Sequence, residues 1–146
     1  MTIGIDMDLR DARLLLIQEA IDFEADEYNT GKLRIYSGER PDTGAEPDEY
    51  DNVLLAEFNL PYPCGSITEG ILTFNEIISV YGLVNGVASW GRIVDADDAF
   101  IMDLSVTSIL GNGDIKIDDV NIVINVLIIC SLASLIEGNS WGVNFG

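Results

Sequence analysis

Three aspartates that follow a Gly-Asn-Gly turn have the residue type and the setting of a calcium loop. Asp114, Asp118 and Asp119 stand between this turn and a long apolar segment. If Asp114 took the fifth ligand position of an EF-hand loop, the first position would be Leu110 and the required glycine would be Ile115. Because two required positions are wrong, we predict a turn with solvated acids and no metal site.

A second group of acids, Asp95, Asp97 and Asp98, could also offer oxygen ligands to a hard cation. Its spacing matches no known calcium loop, and a chain with 25 Asp and Glu places three acids near one turn by chance. We therefore predict no metal at this turn either.

Catalytic chemistry has little support in this sequence. The chain contains no histidine, so Ser66 and Cys64 have no imidazole to activate them as nucleophiles. Pairs of carboxylates that could cleave glycosides are unavoidable among so many acids, and no glycine-rich phosphate loop is present. We predict no catalytic residue, no cofactor and no enzymatic activity. Cys64 and Cys130 could form one disulfide, but two buried thiols in a reducing compartment are favoured, because two cysteines in a chain of this size do not make a disulfide scaffold.

Aromatic side chains could line a sugar-binding face, although aromatics more often fill the core of a β protein. Trp90 precedes Gly91 within a strand pattern, which favours a place in the core or on a sheet face. Exposure of these rings together on one sheet face would instead indicate a carbohydrate-binding module. The residues concerned are Trp90, Trp141, Tyr36, Tyr62 and Tyr81.

The sequence predicts one α-helix before the first strand. Asp8 and Asp11 suit a helix start, and Asn29-Thr30-Gly31 suits a stop, which predicts a helix over 8–27. Apolar residues recur along it near the helical period and predict its buried face: Leu9, Ala12, Leu15, Leu16, Ala20 and Phe23.

Short strands separated by turn residues follow the helix. Asn85-Gly86 lies between two strand patterns and predicts a hairpin. Strands at this spacing with glycine-rich turns are typical of a β-sandwich or barrel, and we expect a mainly β, jelly-roll sandwich with one N-terminal α-helix. The predicted strands are 33–36, 53–59, 70–74, 77–84, 87–94 and 100–106.

Two further segments have opposite character. Residues 39–52 carry six acids and two prolines, which predicts an exposed, mobile loop that tolerates deletion.

Residues 120–136 carry no charge and are rich in β-branched side chains, which favours strand. Asp118 and Gly138 could, however, mark the start and the end of a helix over the same segment. We expect this segment to break near Ser131 and to be buried, either as a central strand or against a neighbouring subunit. It lacks flanking basic residues and is short for a membrane span, so we predict none.

The net charge of the chain argues against some classes of binding partner. The 146 residues carry 25 acidic and 7 basic side chains, a net charge of −18, which repels nucleic acids and anionic membranes. Yet 48% of the residues are hydrophobic, which predicts either a large core or apolar surface that partner subunits cover. Residues 1–7 show no secretory signal.

Several sequence pieces occur in an order found in a known family. An Asp-Ala-Arg-Leu helix at 11–14 precedes Gly-Lys-Leu-Arg-Ile-Tyr-Ser-Gly-Glu-Arg-Pro at 31–41, with further pieces at 54–58, 70–73, 88–95 and 103–106. In this order the chain resembles a family of small, mostly β virion proteins of tailed bacteriophages, often capsid decoration (cement) proteins. The resemblance covers about residues 8–138. The longer, more acidic loop after Arg40, the more apolar last strand region and the extra tail depart from the family pattern.

The resemblance implies a structural role without catalytic residues. We expect an N-terminal arm and helix over 1–30, a β-sandwich domain over 31–138 and a C-terminal tail over 139–146. The expected function is a decoration protein on the virion surface, assembled in the host cytoplasm, that binds the major capsid protein as a homo-oligomer. The resemblance implies a trimer. A neck or tail component and a carbohydrate-binding module are the alternatives.

Overall fold

A computed structural model describes residues 6–136, which form one helix and eleven strands. The predicted mainly β fold with one N-terminal helix is confirmed. The elements are α1 (Met7–Ile21), β1 (Lys32–Ser37), β2 (Leu54–Asn59), β3 (Gly65–Thr68), β4 (Ile71–Phe74), β5 (Val80–Tyr81), β6 (Gly86–Val94), β7 (Phe100–Ser108), β8 (Ile115–Ile117), β9 (Asn121–Ile122), β10 (Leu127–Ile128) and β11 (Cys130–Ile136).

Most strands belong to one curled, mixed sheet with the order β2-β1-β6-β7-β8-β11-β4-β3. The strand β9 pairs with the first residues of β6, and β5 and β10 form a separate two-stranded sheet. The pairs are antiparallel except β7 and β8, where Val106 lies opposite Ile115. The curl places the apolar faces of distant strands around one core.

The core is built from alternate residues of the strands, as expected where one face of a sheet is covered. Leu33 and Ile35 of β1, Phe58 of β2 and Ile93 of β6 are completely buried. The helix α1 packs against β3, β4 and β7 and adds Leu14 and Ile21 to this core.

The helix is shorter than predicted. Asp6 caps its start, because its carboxylate accepts hydrogen bonds from the backbone N–H groups of Asp8 and Leu9. It ends at Ile21 with Asp22 as C-cap, and the chain turns away through Glu24 at φ 56°.

The predicted buried face of the helix is wrong. Leu14 and Ile21 face the core, whereas Leu9, Leu16 and Phe23 are exposed in the described structure. Apolar residues lie on both sides of this helix, so their periodicity could not indicate which side meets the sheet.

The predicted hairpin at Asn85-Gly86 is also wrong. The strand β5 before it pairs with β10, and β6 after it pairs with β1, β7 and β9. The side chain of Asn85 accepts a hydrogen bond from the N–H of Ile124 at 2.8 Å. The segment 78–87 therefore pairs with 120–129 and not with its own continuation.

Residues 120–136 form β9, β10 and β11 and no helix. At the predicted bend or break near Ser131, the pairing of β11 with β8 shifts register between Cys130 and Leu132, although the strand itself continues through this residue. Burial as a central strand is wrong for much of the segment. Ile122 and Ile128 are buried, but exposed apolar side chains lie between and beside them: Val123, Ile124, Val126, Leu127 and Ile129.

The acidic loop 39–52 is largely exposed, as predicted, but it is held in place. The buried side chain of Asn52 donates to the carbonyls of Ser37 and Glu39 at 2.9 and 2.8 Å. Arg92 donates to the carbonyl of Ala45 at 2.7 Å. Deletion of residues 39–52 would leave the Ser37 carbonyl and Arg92 without these loop partners. Tolerance of that deletion stays a prediction.

Among residues 6–136, no helix is long and apolar enough to cross a membrane. The predictions for residues 1–5 and 137–138, and for the tail 139–146 with Trp141, lie outside the described residues.

Candidate functional site

The three aspartates around the Gly-Asn-Gly turn each bind a different part of the backbone. Asp114 accepts hydrogen bonds from the hydroxyl and N–H of Ser105 at 3.0 and 3.3 Å. Asp118 accepts from the N–H of Ile129 at 3.0 Å, and Asp119 closes a turn over the N–H of Asn121. These carboxylates hold loops in place and do not point into a common site.

The acids at 95–98 are likewise divided among structural contacts. Asp95 is buried and accepts the N–H groups of Asp97 and Ala99, both at 2.9 Å. Asp98 forms an ion pair with Arg34 at 2.8 Å. A hydrogen bond with Asp97 and the charge of that carboxylate raise the pKa of Glu24. Within the described part of the chain, no three His, Cys, Asp or Glu side chains lie close enough to hold a metal ion.

The two cysteines form no disulfide with each other, and Cys64 is fully buried, whereas Cys130 is half-buried. Burial, the nearby charge of Asp22 and a hydrogen bond to it raise the pKa of the Cys64 thiol to about 12. The thiol therefore stays protonated at neutral pH and is a poor nucleophile. Ser66 is exposed on β3.

Trp90 is buried on a face of the sheet, outside the apolar cluster that forms the core. Its ring stacks on Tyr36 with centroids 4.6 Å apart, and both rings are buried. The guanidinium of Arg92 lies over Trp90 and over Phe100, and it pairs with Asp103 at 2.7 Å. This cluster anchors the acidic loop, and neither Trp90 nor Tyr36 can offer a face to a sugar.

Tyr62 and Tyr81, in contrast, are exposed. Tyr62 and Tyr28 line a groove whose other walls include the acids Asp26, Glu27 and Glu76. Sequence reasoning did not consider Tyr28, which is 90% exposed.

Two segments of the described chain, 78–87 and 123–129, are rich in exposed apolar side chains. We call the surface that these side chains form the apolar face. Its members are Ile78, Tyr81, Leu83, Val84, Val87, Val123, Ile124, Val126, Leu127 and Ile129.

Backbone pairing joins the two segments of the apolar face. Leu127 lies opposite Tyr81 across the β5–β10 pair, and Ile124 bridges to Gly82. The N–H of Gly82 also donates to the carbonyl of Val126 at 3.0 Å. Because directly opposed residues point to the same side of a pair, the exposed side chains of Tyr81 and Leu127 lie side by side, and the other two contacts hold the backbones of the two segments together.

Gly82 allows this close approach. A Cβ atom at that position would lie 2.4 Å from the carbonyl oxygen of Val123, which is backbone and cannot turn aside. A glycine is therefore required where the two segments of the apolar face cross.

A groove of about 490 Å³ runs along the edge of the apolar face. Ile78 and Ile129 of the face line it together with the buried residues Phe74, Ile77 and Ala133. Polar residues, among them Asn75, Glu76 and Ser79, complete the lining, so the groove offers a partner's side chain a concave place of mixed polarity to enter.

The apolar face carries no charge, although the chain as a whole has a net charge of −18. No Asp, Glu, Lys or Arg occurs from residue 77 to 91 or from 120 to 136. Sequence reasoning singled out the second of these stretches and missed the first. The absence of charge over 77–91 was the signal that could have identified it.

No protein-family model, curated protein or solved structure matches this chain. The function of the apolar face must therefore be inferred from its geometry and chemistry.

Proposed function

We propose that this protein is a structural assembly protein that binds a partner protein through its apolar face. The observation that carries this proposal is the pairing of two charge-free segments into one exposed apolar surface. Large exposed apolar patches mark interaction sites, because covering them releases about 25 cal/mol per Å² of apolar area.

The more specific proposal is a capsid decoration protein of a tailed bacteriophage. The family resemblance supports it, with the major capsid protein as the partner and the virion surface as the location. In this arrangement the apolar face lies against the capsid, and acids such as those of the 39–52 loop lie in solvent. The curled sheet would then be a variant of the jelly-roll sandwich that the spacing of the strands predicts.

The contacts of the candidate chemical groups support a role without catalysis, metal or cofactor. The acids at 95–98 and 114–119 are engaged in backbone hydrogen bonds and ion pairs. The Cys64 thiol is protonated because burial raises its pKa to about 12. The high negative charge also opposes binding to nucleic acids and anionic membranes.

A binding experiment with phage capsids that lack the protein tests the apolar face directly. Ile124→Asp and Val84→Asp place a carboxylate in each segment of the face, where an interface would bury it unpaired at a cost of several kcal/mol. We expect each variant to weaken co-sedimentation with capsids at least about tenfold, since each 1.4 kcal/mol is a factor of ten.

Leu16→Asp is the matched control, because it makes the same change at an exposed leucine of α1, away from the apolar face. We expect it to bind capsids like the wild type. Ile124 is 48% exposed, so circular dichroism and thermal unfolding should show all three variants folded. Normal capsid binding by Ile124→Asp and Val84→Asp would rule out the apolar face as the docking site.

The position in the virion follows from copy number. Mass spectrometry of purified virions should find hundreds of copies for a decoration protein, whereas about a dozen or fewer would indicate a neck or tail component. Absence from the virion would overturn the phage proposal and leave only the binding role of the apolar face.

A carbohydrate-binding module is the second candidate, and the groove of Tyr28 and Tyr62 is the observation that favours it. Aromatic faces beside carboxylates suit a sugar ring and its hydroxyl groups. A glycan array tests this candidate, with Tyr62→Ala as the variant that should lose binding and Tyr50→Ala, in the acidic loop, as the control.

A further inference from the structure

The strand β3 ends the main sheet, so one of its two edges has no neighbouring strand. It pairs with β4, and among residues 6–136 it pairs with no other strand. The turn between β3 and β4 consists of Glu69 and Gly70 with φ of 49° and 78°, as in a two-residue type I′ hairpin. An unpaired edge of this kind is a template for the strand of another chain.

The alternation of hydrogen bonds along the hairpin determines which backbone groups face this outer edge. In an antiparallel pair, only every second residue exchanges hydrogen bonds with its partner. The residues that flank a two-residue turn form such a pair, and the N–H of Asn75 donates to the carbonyl of Cys64 at 2.9 Å in the same alternation. The N–H and C=O groups of Gly65 and Ile67 therefore point outward.

The helix α1 binds the start of the outer edge through two polar side chains. The amide of Gln18 donates to the outward carbonyl of Gly65 at 3.0 Å. The carboxylate of Asp22, at the C-cap of the helix, accepts the N–H of Cys64 at 3.1 Å. The first contact occupies a group that an added strand would need, and the second fixes the helix beside it.

The other end of the helix binds the other end of the hairpin strand. Asp11 accepts the N–H of Gly70 at 2.7 Å, so α1 and β3 run side by side in opposite directions. From residue 11 to 22 the helix extends about 17 Å, and from residue 64 to 70 the strand and its turn extend at most about 20 Å. Because these lengths match, the helix lies along the whole outer edge.

The central groups of the outer edge have no such contact. Within residues 6–136, no hydrogen bond joins the N–H or the C=O of Ile67 to the helix or to a loop. Between its polar contacts the helix meets the sheet with apolar side chains, and Leu14 among them is buried in the core. Apolar side chains cannot satisfy backbone groups, so α1 covers the edge without saturating it.

We propose that β3 is a strand-pairing site for a second copy of this protein and that α1 keeps this site closed. An antiparallel pair of two β3 strands centred on Ile67 has two-fold symmetry, because each Ile67 then donates its N–H to the carbonyl of the other. A second copy thus supplies the two groups that α1 leaves without a partner. The inference concerns an edge separate from the apolar face and does not depend on the proposed function.

Variants that loosen α1 test this proposal in the full-length protein. Asp11→Ala/Gln18→Ala removes two bonds to the hairpin and leaves Leu14 and Ile21 packed. Each lost hydrogen bond should raise the population with an open edge about fivefold and lower the dissociation constant for self-association by the same factor. We expect sedimentation velocity to show self-association at least about tenfold tighter than in the wild type.

Glu19→Ala is the matched control, because it changes the net charge by the same amount at an exposed position of α1. It should leave self-association unchanged. Circular dichroism should show that each variant is folded. Gln18→Ala alone, which spares the contact at the turn, should tighten self-association about fivefold and decides the question if the double variant unfolds.

Hydrogen exchange locates the new contact. In the double variant, the amide of Ile67 should exchange more slowly as the protein concentration rises, because a second copy then accepts its N–H. Self-association equal to that of the wild type would overturn the proposal. Tighter self-association without slower exchange at 65–68 would also overturn it, because another surface, such as the apolar face, would then form the contact.

Discussion

At the scale of single residues, the buried polar side chains of Asn52, Arg92 and Asp95 each bind backbone groups of loops. Asn52 is the clearest example, because its amide donates to two carbonyls and its oxygen accepts the N–H of Asp48 at 2.8 Å. A side chain with three such contacts fixes the end of the acidic loop against β1.

Asn52→Ala removes these three hydrogen bonds and leaves their backbone partners unpaired. We expect the free energy of unfolding to fall by about 2 kcal/mol, since each unsatisfied buried group costs about 1–3 kcal/mol. Urea unfolding measures this change. Asn112→Ala, at an exposed turn position, is the control and should cost less than about 0.5 kcal/mol. Equal losses in the two variants would contradict the anchoring role of Asn52.

The ionisation of the Cys64 thiol should make the free energy of unfolding decrease at high pH. The folded state raises its pKa from 9.0 to about 12, chiefly by burial, so the folded protein holds the proton more tightly than the unfolded chain. The stability from this group is fully present below pH 9.0 and declines as pH rises towards 12.

Over that interval we expect the wild type to lose up to about 1.4 kcal/mol per pH unit more than Cys64→Ser, which has no thiol to ionise. Urea unfolding at pH 8, 9.5 and 10.5 gives the comparison. Parallel pH profiles for the two proteins would show that the Cys64 thiol does not ionise differently on folding. At pH 8, a thiol reagent should modify the half-buried Cys130 before Cys64.

At the scale of elements, the crossing of 78–87 with 120–129 depends on close backbone contact. Gly82 and Gly86 both lie in this region, but they meet different neighbours. A Cβ at Gly82 meets the Val123 carbonyl at 2.4 Å, whereas a Cβ at Gly86 meets first a methyl of Leu55 at 2.7 Å, which can rotate.

Gly82→Ala should therefore force the two segments apart and lower the free energy of unfolding by about 2–3 kcal/mol. Gly86→Ala should cost less, because only a side chain must move. Thermal unfolding compares the two variants, and hydrogen exchange should show faster exchange at 122–128 in Gly82→Ala alone. A larger loss in Gly86→Ala would contradict the crossing geometry.

At the scale of the whole molecule, the charge of −18 opposes compaction, and salt screens this self-repulsion. We expect moderate salt to stabilise the fold by about 1 kcal/mol, or roughly 4 °C in Tm for a domain of this size. The acids at 95–98 and 114–119 are already engaged, so calcium should add nothing beyond its ionic strength.

Thermal unfolding in NaCl, and in CaCl₂ and MgCl₂ at equal ionic strength, measures both effects. Magnesium is the control, because it prefers a stricter geometry than calcium. A rise in Tm that calcium produces and magnesium does not would show that one of the two acid clusters binds calcium.

The sequence by itself determined the class of fold and the character of each segment. Alternating apolar residues predicted the strands at 33–36, 53–59 and 100–106, because a strand with one covered face must alternate. The missing histidine, the excess of acids and the charge-free segment 120–136 were likewise readable without coordinates.

Only the tertiary structure decided which neighbour each segment meets. Asn85-Gly86 has the local chemistry of a hairpin, yet the backbone groups of β5 pair with β10, a contact between residues more than 40 positions apart. The conformational preferences of a short stretch of sequence contribute less free energy than such long-range pairing and packing. The same reason explains why α1 buries Leu14 and not Leu16, and why Ile124 lies on the surface. A pattern of apolar residues shows that a side must be covered, but only the arrangement of the other elements determines what covers it.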